Sequence, residues 1–129
     1  MPKKKAADLN GDYSGSYVCT NPVRETPFKL SIEAVNEHQL KGSYSFHAVG
    51  MPGEISTFSL QGTSGGAGFQ LHPVKWETPK PVRSPVRIGS SAFDANAMVG
   101  LNGSFQSDSG TISGTVTNFS GCTFSAKRK

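Results

Sequence analysis

Five times in this chain an apolar residue is followed two positions later by glycine and then by a hydroxyl residue. These are YSGS at Tyr13, LKGS at Leu40, LQGT at Leu60, LNGS at Leu101 and ISGT at Ile112. Each repeat lies in a stretch where apolar and polar residues alternate at period two, the signature of a strand with one buried face. Tyr13, Gly15, Tyr17 and Cys19 share the first such face, and Phe28, Leu30, Ile32 and Ala34 the second. Leu40, Gly42, Tyr44 and Phe46 give a third, Phe58, Leu60 and Gly62 a fourth, and Phe69, Leu71 and Pro73 a fifth. Val99, Leu101, Gly103 and Phe105 form a sixth, Ile112, Gly114 and Val116 a seventh, and Cys122, Phe124 and Ala126 an eighth. Turn signals (VNEH, GMPGE, SGGAG, SDSG, FSG) separate most of them. The pattern predicts an all-β domain: an eight-stranded antiparallel up-and-down meander closing into a small barrel, with a two-sheet β-sandwich as the alternative. The repeated glycines fall on the inward face, where they serve strand bending or clear room for a luminal ligand.

The two cysteines test that topology. In an even-stranded barrel the first and last strands are antiparallel neighbours. Pairing Cys19 with Cys122 then sets Tyr17 opposite Phe124, Gly15 opposite Ala126 and Tyr13 opposite Arg128. The apolar faces coincide, and a slip of one residue would spoil the match. A disulfide there would close a loop of ~100 residues and contribute about 3–5 kcal/mol in the chain-entropy model. It implies an exported, periplasmic or extracellular setting; two buried thiols would imply a cytoplasmic one.

The chain has 129 residues, enough for one domain with its own core. It divides into a basic tail (1–10), a barrel-like body (11–126) and a second basic tail (127–129). Its net charge of +4 is unevenly placed: Lys3, Lys4, Lys5, Lys127, Arg128 and Lys129 lie at the ends. Without them seven basic residues face nine acidic ones. Basic residues therefore line no folded groove of the kind that reads nucleic acid. If strands one and eight adjoin, both tails leave one rim, and weak, salt-dependent polyanion binding follows. No apolar run is long enough to span a membrane as a helix. The start, MPKKKAADLN, lacks the apolar core of an intact signal peptide.

Several segments also share an order: GDYSGSYVC, FKLSIEAV, LKGSYSF, FSLQGT, FQLHPVKWE, MVGLNGSF and TISGTVTNFSGCTFSAKR. The set resembles an uncharacterised small all-β accessory module found at the ends of bacterial multidomain proteins, including caspase-like and repeat-containing ones. The resemblance spans roughly Asn10 to Arg128. It rests most on the early Cys, on L-x-P-x-x-W at Leu71, Pro73 and Trp76, on VGL-x-G at Val99 to Gly103, and on the late GC-x-x-F. It implies a non-catalytic recognition domain, typically exported, and carries over no catalytic residue. This chain departs from the module in its long join from Glu77 to Ala97.

Other motifs fail on chemistry. GTSGG, Gly62 to Gly66, matches G-x-S-x-G but lies between hairpin strands, not at the strand-to-helix elbow a nucleophile needs. DLNGD, Asp8 to Asp12, opens like a calcium loop, yet Cys19 stands where the closing Glu belongs. His38, His47 and His72 lack zinc spacing; His38 is expected in a turn and the other two at strand ends. The carboxylates are scattered, so no catalytic residue, metal or cofactor is expected.

The informative segment is HPVKWETPKPVRSPVRIG, His72 to Gly89. It holds the only tryptophan and four of the eight prolines. Prolines 79, 81 and 85 pre-set extended backbone, in which Arg83 and Arg87 share a side. Guanidinium groups suit phosphate or carboxylate, and Trp76 suits a base or a sugar ring. Three readings stand for 77–97: a solvated loop, an arm onto a neighbouring subunit, or a lid over a barrel mouth. The functional expectation is a non-enzymatic module for a small anionic (nucleotide-like) or glycan-like ligand, with His72, Trp76, Lys80, Arg83 and Arg87 as ligand residues. The alternative is a structural assembly protein, such as a surface or virion decoration subunit acting as a homo-oligomer.

Overall fold

The computed structural model of this chain describes residues 9–19, 24–47, 53–65, 68–81, 85–88, 91–94, 98–106, 108–117 and 121–128. The strands are β1 (Gly11–Cys19), β2 (Arg24–Ala34), β3 (Gln39–His47), β4 (Ile55–Gly65), β5 (Gly68–Trp76), β6 (Pro85–Ile88), β7 (Ser91–Asp94), β8 (Leu101–Gln106), β9 (Thr111–Val116) and β10 (Cys122–Arg128). Eight of them close into an antiparallel barrel in the order β1-β10-β9-β8-β5-β4-β3-β2. Each barrel strand neighbours the barrel strands before and after it in sequence, so the fold is an up-and-down meander, and no α-helix occurs among the described residues. The sandwich alternative is excluded because β1 pairs with both β2 and β10.

The closure has the register required by the cysteine argument: Cys19↔Cys122, Tyr17↔Phe124, Gly15↔Ala126 and Tyr13↔Arg128. The two sulfurs are at disulfide distance, with Cα atoms 4.1 Å apart. Alternation becomes burial on every barrel strand. On β10, for example, Cys122, Phe124 and Ala126 are buried while Thr123, Ser125 and Lys127 are exposed.

The glycines of the five repeats bend the wall. A methyl group added at Gly62 would land on the Gln70 carbonyl oxygen, and one at Gly114 on that of Asn102. At these points the neighbouring strand crosses where a side chain would stand, which demands glycine. Opposite Gly114 sits Gly103, and a methyl there would come within 2.9 Å of the Phe124 ring. The space released goes to strand approach and to a core aromatic, so bending is the reading that holds.

Phe28, Tyr44 and Phe58 stack through the interior, with centroids 4.9 and 4.8 Å apart. Phe124 meets Phe28 and Phe69 edge-on at 6.4 and 6.3 Å. Such pairs add about 0.5–1.5 kcal/mol each beyond their burial. The Tyr44 hydroxyl is buried among them with no hydrogen-bond partner among the described residues. Burial raises its pKa well above the ordinary 10.0, with the nearby Tyr17 adding to the rise.

One rim is latched. Leu9 is buried and its carbonyl accepts the Tyr13 hydroxyl at 2.8 Å. Arg128 donates from Nη1 to the Asn10 carbonyl at 3.1 Å, and its guanidinium lies 5.2 Å from the Phe105 ring centre. The Asn10 side chain accepts the Ala34 amide at 2.7 Å. Arg128 is thus tied into this rim and does not stand as a solvated tail residue. Burial raises the Tyr13 pKa, and the charge and hydrogen bond of Arg128 oppose the rise.

The join from 77 to 97 differs from an irregular connection. Glu77 and Thr78 first bond back to Thr57 through backbone and hydroxyl groups. Pro81 is buried. Beyond it, β6 and β7 pair with each other as a separate two-stranded sheet. Alternation was not visible there because the strands are only four residues each.

Candidate functional site

Of the residues expected to hold a ligand at a barrel mouth, His72 and Trp76 fall on opposite faces of β5. Trp76 points inward. Its ring meets Phe58 edge-on at 5.4 Å and Phe46 at 6.1 Å, and it is partly buried against the core. His72 is exposed on the other side of the same strand, opposite Gln61. It lies within β5, not at a strand end as the sequence suggested. Lys80 is exposed beyond β5. Arg87 is placed on β6 opposite Ala92 by its backbone, and Arg83 lies outside the described residues. Of the other histidines, His38 lies exposed in the β2–β3 turn and His47 ends β3.

The L-x-P-x-x-W spacing has a mechanical cause. Leu60 pairs with Pro73 and Phe58 with Trp76, so three steps on β5 face two on β4. This β-bulge accommodates a proline and restores the inward face in time for Trp76. It also turns two consecutive side chains outward: Val74 is 44 % exposed, and Lys75 is exposed beside it. The Ser59 hydroxyl donates to the Lys75 carbonyl at 3.4 Å.

The bulge forms the edge of a polar belt on the outer wall of β2–β5. Register brings Glu33, Lys41, Gln61 and His72 into one row across four strands, and Ser31, Ser43 and Ser59 into the next. Neighbouring strands in such a row stand ~4.8 Å apart. Two adjoining grooves follow these rows, of about 400 and 430 Å³. Lys41 and Gln61 line both; Lys75 and Glu77 flank the first and His72 the second. Lys41 pairs with Glu33 at 3.5 Å, both ends exposed, an arrangement that adds little stability. In the first groove two lysines are thus matched by two glutamates, amid hydroxyls and an amide. Such a surface offers donors and acceptors without a net field.

The sequence reading singled out His72 but not Glu33, Lys41 or Gln61, which the register sets beside it. Their signal is outward parity on consecutive hairpin strands, which becomes a cluster only once register is fixed. Among the described residues no group of three His, Cys, Asp or Glu is placed to hold a metal ion. No helix of the described chain is long and apolar enough to cross a membrane. No family model, curated protein or solved structure matches the chain.

Proposed function

We propose that this chain is a non-enzymatic binding module that holds a polyhydroxylated, glycan-like ligand on the outer wall of β2–β5. One observation carries the reading: the in-register row Glu33, Lys41, Gln61 and His72, bordered by three serines and opened by the β5 bulge. Hydroxyl, amide and balanced charge complement a neutral sugar better than a nucleotide-like anion, which would want an excess of cations. The interior is occupied by stacked rings, which favours the wall over the lumen. A recognition role of this kind also suits the accessory module that the sequence resembles. Glycan-array screening followed by titration calorimetry tests it. The paired substitutions Gln61→Ala and His72→Ala should weaken the best glycan at least tenfold while the melting temperature holds. Equal affinity in that variant would overturn the reading.

A second reading rests on a separate observation. Among the described residues β6 and β7 pair with each other and with no barrel strand, and an isolated two-stranded ribbon is marginally stable in water. Adding to a neighbour's sheet would stabilise it, as an assembly arm does. Mass in solution before and after replacing residues 82–97 with a short Gly-Ser link separates the two: an oligomer that becomes a monomer supports the arm. Weak polyanion binding through the terminal lysines belongs to the same proposal; deleting residues 1–8 should shorten retention on heparin.

A further inference from the structure

The barrel wall parts at a seam between β2 and β3. β2 runs from Arg24 and β3 ends at His47, but their pairing stops at Lys29↔Ser45. Beyond that point Pro27 and Phe28 no longer face Phe46 and His47 across a ladder. Pro27 supplies no amide hydrogen, so the ladder cannot form there as it does further along. The strands part over a cleft of about 320 Å³. That size falls at the lower end of the ~300–1,000 Å³ typical of small-ligand sites.

The cleft is chemically unlike the polar belt and shares no lining residue with either of its grooves. Its apolar walls are Pro27, Phe28, Phe46 and Ile55, with Ser14, Gly15 and Ser45 completing the lining. Phe28 and Phe46 are buried core residues reached from outside, whereas Ile55 is 55 % exposed. A large aliphatic side chain that open to water marks a contact surface more often when it borders an apolar groove. The basic residues at the edge are Lys29 and His47, both exposed, and among the described residues no carboxylate lines the cleft. Among the described residues neither makes an ion pair.

We infer that this seam binds an amphiphilic carboxylate, with the alkyl chain between Pro27, Phe28, Phe46 and Ile55 and the acid group at Lys29 and His47. The apolar depth selects a chain over a sugar. The one-sided charge at the mouth selects an anionic head over a cationic one. The site is independent of the belt, so the two readings stand or fall separately.

Calorimetry with octanoate, decanoate and dodecanoate, each below its micelle concentration, tests the inference. Affinity should rise roughly tenfold per two added methylenes until the cleft is filled. Decyltrimethylammonium should bind at least tenfold more weakly than decanoate. Lys29→Gln should cost about tenfold against decanoate. Ile55→Asp, a change at an exposed position, should abolish binding, while Gln61→Ala should leave it untouched. Chemical-shift changes at the Ile55 methyls and the Phe46 ring in the unaltered protein give a readout free of any folding defect. Absence of binding at 1 mM decanoate, equal binding of the cationic amphiphile, or wild-type affinity in Ile55→Asp would overturn the inference. Tighter binding of an extended apolar peptide would overturn it too, in favour of strand addition at the parted edges.

Discussion

The half of the barrel formed by β8, β9, β10 and β1 is built differently from the half formed by β2 to β5. In the first half, glycine meets glycine across the ladder at Gly103 and Gly114. The register there runs without interruption, and the cysteine pair joins β1 to β10. In the second half, β5 bulges, β2 and β3 part company, and the outside carries two grooves and a cleft that reaches Ser14 and Gly15 of β1. The large hydrophobic side chains that stand exposed among the described residues, Val35, Ile55 and Val74, all belong to this half. One half holds the ring together, and the other spends regularity on surface. Irregular strand geometry re-aims side chains, and that is where recognition can be placed.

Three experiments would break or sharpen this contrast. The largest effect belongs to Gly114→Ala. A methyl there meets the Asn102 carbonyl oxygen and the Gly103 Cα on a neighbouring strand, so backbone must move. Destabilisation of about 4 kcal/mol or more is expected, enough to prevent folding, with urea denaturation as the check. If Gly114→Ala folded with near-normal stability, the close approach of β8 and β9 would not require glycine.

Next comes the cysteine pair, which encloses a sequence separation of 103 residues. Replacing both with serine should cost about 3–5 kcal/mol, read from denaturant midpoints with unchanged slope. A loss below 1 kcal/mol would mean that the β-ladder alone closes the ring.

The smallest effect is at Tyr44, in the irregular half. Its hydroxyl is buried without a partner among the described residues, so Tyr44→Phe should raise stability by about 1 kcal/mol and the melting temperature by roughly 3–6 °C. The same burial holds its pKa well above 10.0. Below pH 10 the neutral phenol is compatible with both folded and unfolded chains. As pH rises past 10 the unfolded chain ionises its phenol while folded Tyr44 resists, so stability falls. Tyr44→Phe should flatten that alkaline decline, measured by melting between pH 9 and 11.5. An unchanged slope would place the alkaline sensitivity elsewhere, with Tyr13 the next group to examine.

Eight barrel strands and their closure were legible in the sequence because one physical rule wrote both: alternation fixes the face, and the cysteines fix the register. The rule fails wherever the period breaks. Trp76 stands three residues after Pro73, so parity alone sends it outward, and only the bulge brings it in. The tryptophan expected to stack on a ligand therefore packs, partly buried, against the core. Arg128 counted as tail charge in the sequence, since nothing local shows that Asn10 and Phe105 await it. The polar belt was illegible for another reason. Glu33, Lys41 and Gln61 are ordinary outward residues on separate strands, and their adjacency is a property of the assembled ladder.

The latch at Leu9, Asn10, Tyr13 and Arg128 has a consequence for how the ring could be reopened. Because β1 and β10 are side by side, with Gly11 close against the Arg128 side chain, a few-residue bridge would join the two ends. The polypeptide could then be cut afresh within the 82–97 stretch. A circular permutant of that design should still fold, since none of the barrel ladders would have to break.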